Sequence, residues 1–173
     1  PNMKKPSRNL VPAAVLVPLI LRPEGITVMF TKRTDNLENH PGQISFPGGH
    51  VDLNDKSAEE TALRETHEEV GLSRHKVDIL GSLDIYETRT GFSVMPIVGS
   101  IHLPLKLVPD PREVAEIFEV PLSFLMDTKN HKKYTQQFKG ENRQFYAMPY
   151  QQYFIWGATA GIIMNLYEIL TPA

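Results

Sequence analysis

One helix whose two ends can be recognised in the sequence restricts the fold of this chain more than any other feature. Ser57 followed three residues later by Glu60 is a capping box, which marks the start of a helix. Gly71 is typical of the residue that ends a helix, because glycine adopts a left-handed backbone conformation without steric penalty. The sequence therefore predicts a helix from Ala58 to Val70.

The spacing of its residues predicts which side of this helix faces the core and which faces away. At about 100° per residue, Leu63, Thr66 and Val70 share the side that we expect to face the core. Arg64 lies on the opposite side. Three glutamates lie between these two sides, along an edge whose other members are small: Ala58, Thr61 and Ala62.

Glu65, Glu68 and Glu69 place three negative charges within five positions near the helix C-terminus. Like charges three and four residues apart repel each other, and the helix dipole disfavours negative charge at this end. The ordinary interpretation is a solvated charged face. A divalent cation would remove both penalties, and the small neighbouring residues would leave room for a ligand. Hard oxygen ligands at this density favour Mg²⁺ or Mn²⁺.

The segment before the helix, Phe46-Pro47-Gly48-Gly49, contains two adjacent glycines. Glycine permits close approach of the backbone, so Gly48 and Gly49 would bring the main chain near whatever the carboxylates hold. Taken alone, such a pair indicates no more than a tight turn.

The rest of the chain alternates between β-rich and helical segments. Strands are predicted at residues 12–21, 26–33, near 43–46, within 76–90, at 92–101, within 111–126 and at 143–150. Residues 156–170 have apolar residues at helical spacing. This order predicts the α/β (α+β) class, with a mixed β-sheet between helices. We expect one domain over residues 1–173, with residues 1–10 as a flexible N-terminus.

Composition excludes several classes of partner and site. The net charge of −2 argues against a broadly basic nucleic-acid surface. The absence of cysteine excludes disulfides and cysteine-ligated metal, and it fits a reducing compartment. The longest apolar run, residues 10–21, is too short to span a bilayer. We expect a cytoplasmic protein without nucleic-acid or membrane partners, and both a monomer and a homodimer remain open.

The glycines and the helix together resemble the Nudix box. That family's pattern is Gly, five residues, Glu, seven residues, then Arg-Glu-apolar-any-Glu-Glu-any-Gly-apolar. The segment from Arg64 to Leu72 matches the second half apart from Thr66 at the apolar position. In the first half, Gly49 lies one residue too far from Arg64. Counted back from Arg64, Lys56 stands where the pattern has glutamate. A one-residue insertion in the loop explains both departures.

The lengthened loop, which carries Asp52 and Asp55, is similar to that of the coenzyme A pyrophosphatase branch of the family. An upstream signature of this branch is matched at Thr31, Arg33, Gly42 and residues 46–49. The resemblance extends over residues 11–169. Glu38 stands where the signature has a basic residue, and this charge reversal leaves another nucleoside diphosphate derivative open as the substrate.

The resemblance implies a Nudix fold and a hydrolase that uses Mg²⁺ or Mn²⁺ and water to cleave a diphosphate linkage. The branch implies a small nucleotide substrate, coenzyme A or its thioesters, split into 3′,5′-ADP and 4′-phosphopantetheine. Glu65, Glu68 and Glu69 are implied as metal ligands, and one of them would also orient or deprotonate the water. Arg64 is expected to hold a glutamate by a salt bridge. A non-catalytic ligand sensor is the alternative, which the three intact glutamates disfavour.

Three further side chains and the glycine pair are candidate site residues. Glu113 would supply one more acidic metal ligand from beyond the box, although a solvated glutamate in a charged turn is an equal alternative. Lys32 and Arg33, at the end of the second predicted strand, would bind substrate phosphates together with the backbone of Gly48 and Gly49. The ordinary interpretation of a basic strand end is solvation.

Overall fold

A computed structural model describes residues 9–35 and 42–172 of the chain. Glu38 and most of the predicted flexible N-terminus lie outside the described residues. The strands are β1 (Val11–Arg22), β2 (Gly25–Arg33), β3 (Ile44–Ser45), β4 (Gly48–His50), β5 (Val77–Ser82), β6 (Tyr86–Glu87), β7 (Phe92–Ile101), β8 (Val114–Pro121), β9 (Lys132–Phe138), β10 (Glu141–Tyr150) and β11 (Tyr153–Trp156). The helices are α1 (Ala58–Val70), α2 (Leu122–Met126) and α3 (Gly157–Leu170), with 3₁₀ turns at Arg74–Lys76 and Thr128–Asn130.

Helix α1 begins and ends at the predicted residues. The Ser57 hydroxyl accepts a hydrogen bond from the Glu60 backbone N–H at 3.1 Å, and Gly71 has a left-handed φ of 73°. The Glu60 carboxylate accepts from the Lys56 backbone N–H at 3.0 Å, one residue earlier than a standard capping box requires. No helix among the described residues has both the length and the apolar character needed to cross a membrane.

A mixed sheet of eight strands organises the fold around β1. This strand pairs in parallel with β7 over ten residues and antiparallel with β2 through Leu19–Arg22. Its long apolar run lies in the middle of the sheet, where both faces are covered. The mixed sheet that the sequence predicts is confirmed.

Strands β1 and β2 separate beyond their shared hairpin, and a short segment fills the gap. β3 pairs with β2 at Thr31 and Lys32, whereas β4 pairs with β1 at Ala13–Val15. Pro47 bridges the two short strands, and its carbonyl accepts from the Leu16 backbone N–H at 2.8 Å. The gap thus places the glycine pair of β4 at the face of the sheet that carries α1.

The core has two parts, one on each face of the large sheet. One part lies under α1 and includes Leu16, Met29 and Ala62. The other lies under α2 and α3 and includes Phe30 and Ile163. Consecutive residues Met29 and Phe30 enter different parts because side chains alternate across a strand. The predicted arrangement of a sheet between helices is confirmed.

A second sheet, with strand order β11-β10-β9, was not predicted. Its inner face buries Met148 and Ile155 completely, which joins it to the core under α3. Every residue of β9 is exposed, and its sequence KKYTQQF lacks a buried alternating face. The alternation of buried and exposed residues that predicts a strand is therefore absent from β9. Its pairing with β10 makes this segment a strand.

Candidate active site

Three glutamates from two parts of the chain form the acidic centre of this site. Glu69 of α1 is buried, with 8% of its surface exposed, and Glu65 is half-buried one turn earlier. Exposed Glu113, just before β8, is close enough to act electrostatically on both carboxyls. Glu113 therefore lies near the two glutamates of the helix, although it is more than 40 positions away in the sequence.

The pKa values of the two helical glutamates are raised, because nearby positive charge only partly balances burial and mutual repulsion. Burial, followed by repulsion from Glu113 and Glu65, raises the pKa of Glu69 to about 8. The backbone amide of Gly48 and the charge of Arg33 oppose that rise. Burial also raises the pKa of Glu65, and hydrogen bonding from Arg64 only partly offsets it. The acidic centre would hold its full negative charge more easily beside a cation.

The glycine pair brings the backbone against these carboxylates. A β-carbon on Gly49 would meet the Glu65 carboxylate, while one on Gly48 would lie 2.3 Å from the backbone oxygen of Ala14. Gly48 therefore permits the pairing of β4 with β1, and Gly49 permits the approach of Glu65. The close approach predicted for this segment is present.

Arg64 ties the preceding loop to the helix through Asp55. Its Nε and Nη2 each donate to the Asp55 carboxylate at 2.9 Å, which holds the pKa of Asp55 far below its usual range. Asp55 also accepts from the Thr61 hydroxyl and the Asp52 backbone N–H, both at 2.8 Å. The loop is thus closed onto the first half of α1.

The remaining donor of Arg64 reaches the glutamates, as predicted. Nη1 donates to Glu65 at 3.0 Å and to the exposed Glu68 at 3.3 Å. The predicted salt bridge to a glutamate is confirmed, but the stronger partner, Asp55, was missed. The family pattern leaves five residues between its glycine and its first acidic residue, and the same count from Gly49 leads to Asp55, which could have identified it.

Two expectations about the faces of α1 are wrong. The small residues Thr61 and Ala62 have no exposed surface, because they let the helix lie close to β1. They leave no room for a ligand. Leu63 is only partly buried, whereas Glu69 takes a buried position. Arg64, on the opposite side as expected, is only 29% exposed because its ion pairs hold it against the loop.

Backbone hydrogen bonds fix the position of Glu113 relative to α1. The N–H of Val108 donates to the Val70 carbonyl, and that of Asp110 donates to the Glu69 carbonyl, both at 2.8 Å. These bonds satisfy carbonyls at the end of the helix that have no partner within it. The N–H of Glu113 then donates to the Asp110 carbonyl at 3.1 Å. A short arm, residues 108–113, therefore carries Glu113 from the last turn of α1.

The two basic residues at the end of β2 lie on opposite faces of the sheet. Arg33 acts on Glu69, and its Nε is buried with no hydrogen-bond partner among the described residues. Lys32 lies 3.7 Å from Glu116 on the other face. Only Arg33 therefore shares the acidic centre, and the phosphate-binding role of both residues stays a prediction.

The acidic centre fits a divalent cation by the chemistry of its donors. Within residues 9–35 and 42–172, no three His, Asp or Glu side chains already have the spacing of a metal shell. Glu65, Glu69 and Glu113 nevertheless supply carboxylates whose mutual repulsion helps to raise the pKa values of the two on α1, and the nearby arginines offset only part of that repulsion. Hard oxygen donors of this kind suit Mg²⁺ or Mn²⁺.

Comparisons with known proteins agree on one family. A sequence model of the NUDIX domain matches residues 10–138. The chain is 42% identical over 166 residues to a protein described as uncharacterized Nudix hydrolase NudL from Enterobacter sp. (strain 638), covering 96% of this chain and 86% of that protein. A protein of the same description from Photorhabdus laumondii is 43% identical over 168 residues, covering 97% and 89%.

Solved structures share the fold at low sequence identity. The NUDIX domain of Shewanella oneidensis NrtR, complexed with ADP ribose, aligns with a TM-score of 0.58 and 17% identity over 98% of this chain and 95% of that chain. RenU, a Nudix hydrolase from M. smegmatis, aligns with a TM-score of 0.57 and 24% identity over 65% and 71%. At these identities, the two similarities show a shared arrangement of strands and helices and nothing about substrate.

Proposed function

The chain belongs to the Nudix family, and from that premise we propose that it hydrolyses the diphosphate linkage of coenzyme A or its thioesters. The products would be 3′,5′-ADP and 4′-phosphopantetheine or its acyl derivative. The observation that carries the hydrolase part is the convergence of buried Glu69, half-buried Glu65 and exposed Glu113, which act on one another electrostatically beside Gly48 and Gly49.

In this proposal the acidic centre holds Mg²⁺ or Mn²⁺. Glu65, Glu69 and Glu113 are the proposed ligands, with Glu68 at the exposed border of the set. A bound divalent ion supplies neutralisation of the diphosphate charge and lowers the pKa of water. Glu69 retains its proton near neutral pH without a cation, so it must release that proton when it becomes a ligand.

The other residues orient the reactants. Arg64 holds Glu65 and Glu68 in place, and these two carboxylates are proposed to orient the attacking water. Arg33 presents a guanidinium beside Glu69 and is proposed to contact a phosphate of the substrate. Backbone groups of Gly48 and Gly49 would border the same diphosphate.

The choice of coenzyme A depends on sequence features around this centre. The lengthened loop is the one that Asp55 closes onto Arg64, and the upstream signature includes Arg33. Both features that resemble the coenzyme A branch therefore adjoin the acidic centre, which supports the proposal.

A substrate panel tests this proposal. The protein would be incubated with Mg²⁺ or Mn²⁺ and with coenzyme A, acyl-coenzyme A, NADH or ADP-ribose, and products would be identified by mass spectrometry. We expect 3′,5′-ADP and 4′-phosphopantetheine from coenzyme A. Full activity on ADP-ribose or NADH with none on coenzyme A would overturn the assignment.

A second candidate is hydrolysis of another nucleoside diphosphate derivative, and Glu38 favours it. This residue reverses the charge that the coenzyme A signature has at its position. The variant Glu38→Arg separates the two candidates. If coenzyme A is the substrate of a weakened site, restoring the positive charge should lower the KM for coenzyme A more than the KM for ADP-ribose. An equal effect on both substrates would favour the second candidate.

A further inference from the structure

A cleft lies where the edges of the two sheets meet, apart from the acidic centre. Here β3, at an edge of the large sheet, adjoins β11, at an edge of the small sheet. The cleft has a volume of about 220 Å³. Its polar and aromatic lining residues are Lys32, Gln43, Gln152, Tyr153, Phe154 and Trp156.

Two partly exposed aromatic rings line this cleft. Phe154 and Trp156 are both 42% exposed, and they lie on the same side of β11 because they are two residues apart. Edge-on contacts support both rings: Phe154 meets Tyr134 with ring centroids 5.5 Å apart, and Trp156 meets Phe145 at 5.7 Å. The rings are therefore held in place while nearly half of each residue stays accessible.

The charge on the part of the wall formed by Lys32 is already balanced. Lys32 lies 3.7 Å from Glu116, and the hydroxyl of Tyr153 donates to the same carboxylate at 3.5 Å. A cation beside a carboxylate offers little attraction to a phosphate, so this wall favours a neutral group. The side-chain amides of Gln43 and Gln152 add donors and acceptors, the groups that read the edge of a nucleic-acid base.

The size and place of the cleft fit one end of a longer substrate. Its volume is below the roughly 300–1,000 Å³ typical of pockets that enclose a whole small molecule. Lys32 in the cleft is the chain neighbour of Arg33 in the acidic centre, on the other face of β2. A ligand whose diphosphate lies beside Arg33 could therefore reach the cleft around the end of this strand.

We propose that this cleft binds the heteroaromatic base of the nucleotide substrate, stacked against Phe154 and Trp156. The inference depends on the proposed function only in requiring that the substrate be a nucleotide. It assigns Lys32 to the base end of the ligand and leaves the phosphate contact to Arg33.

Fluorescence tests the proposal without catalysis, since Trp156 is the single tryptophan of the chain. The protein would be titrated with adenosine 5′-monophosphate and, in parallel, with ribose 5-phosphate, which lacks the base. We expect saturable quenching of Trp156 by the first ligand and none by the second. No quenching by adenosine 5′-monophosphate, or equal quenching by both ligands, would overturn the proposal.

A matched pair of variants tests the second ring. Phe154→Ala should weaken the binding of adenosine 5′-monophosphate by on the order of tenfold, because base–aromatic stacking is lost. Phe138→Ala removes a similarly exposed ring of β9 that does not line the cleft, and it should leave binding unchanged. Equal effects of the two substitutions would contradict a specific stacking site.

Catalysis then separates this inference from the proposed substrate. If coenzyme A is cleaved, Phe154→Ala should raise its KM with little change in kcat, whereas an unchanged KM would count against the cleft. If coenzyme A is not cleaved but adenosine 5′-monophosphate still quenches Trp156, the base site stands and the proposed substrate is wrong.

Discussion

Gly49 and Glu65 are in such close contact that a β-carbon at residue 49 would lie 2.5 Å from the Glu65 Cδ atom. Gly49→Ala should therefore displace the Glu65 carboxylate and reduce the rate of hydrolysis strongly. The protein should remain folded, because the obstructing atoms belong to the end of a flexible side chain. Steady-state kinetics and thermal unfolding of the same preparation check both parts.

Gly48→Ala should differ from Gly49→Ala by destabilising the fold. There the added carbon would meet the backbone oxygen of Ala14 at 2.3 Å, so the pairing of β4 with β1 must change. We expect a clear drop in the melting temperature for Gly48→Ala alone. Similar melting temperatures for the two variants would contradict the separate roles of the glycines.

Glu69→Gln should reduce turnover by more than about 100-fold, since the substitution removes a proposed metal ligand. The amide has nearly the same shape as the protonated carboxyl that the cation-free site holds at neutral pH. The fold should therefore persist, as circular dichroism and thermal melts would show. Unchanged turnover in this variant would overturn the metal-site assignment.

The stability of the cation-free protein should fall as the pH rises. Glu69 has a folded-state pKa of about 8 against an ordinary value of 4.5, so the folded state binds the extra proton. Its contribution is complete below pH 4.5 and is lost as the pH rises towards and through 8, by up to a few kcal/mol. Melting temperatures measured with a chelator from pH 5 to pH 9 would show the decline.

Two controls identify the group responsible for this decline. Glu69→Gln should flatten the pH dependence, because the amide does not titrate. Added Mg²⁺ should restore stability above pH 8, where the carboxylate is charged. A decline that persists unchanged in Glu69→Gln would have to arise from another group.

Asp55→Asn should reduce kcat/KM by about 10- to 100-fold, although Asp55 is not a proposed ligand. The amide cannot accept both hydrogen bonds from Arg64, so Arg64 would no longer fix Glu65 and Glu68. Asp52→Asn is the control, since only the backbone of Asp52 contributes to this network. Equal activities of the two variants would show that Asp55 does not position Arg64.

Glu113→Gln should weaken Mn²⁺ binding by on the order of tenfold, because one carboxylate of the acidic centre is lost. It should also lower the pKa of Glu69, since repulsion from Glu113 contributes to its rise. Glu141→Gln changes an exposed carboxylate of β10 and should do neither. Paramagnetic resonance titration with Mn²⁺ measures the affinity; the same affinity in both variants would exclude Glu113 as a ligand.

Local signals predicted α1 and its glutamates because helix ends and ion pairs between neighbours are encoded within a few residues. The small residues Thr61 and Ala62 were predicted to leave room for a ligand but pack against the sheet. Their size alone does not distinguish the two, because a small side chain permits the close approach of either. Strand β9 was missed because its register with β10 comes from a partner rather than from its own pattern. The hydrogen bond from Asp110 to Glu69, which helps position Glu113, depends on long-range folding.

The arm that carries Glu113 also determines at which positions residues can be inserted without loss of activity. Val108 and Asp110 are bonded to the last turn of α1, so extra residues within the exposed stretch 102–104 would enlarge an outer connection without moving the carboxylate. One residue inserted between Asp110 and Glu113 would instead turn that carboxylate away from Glu69. Insertions should therefore be tolerated within residues 102–104 and should abolish activity between residues 110 and 113.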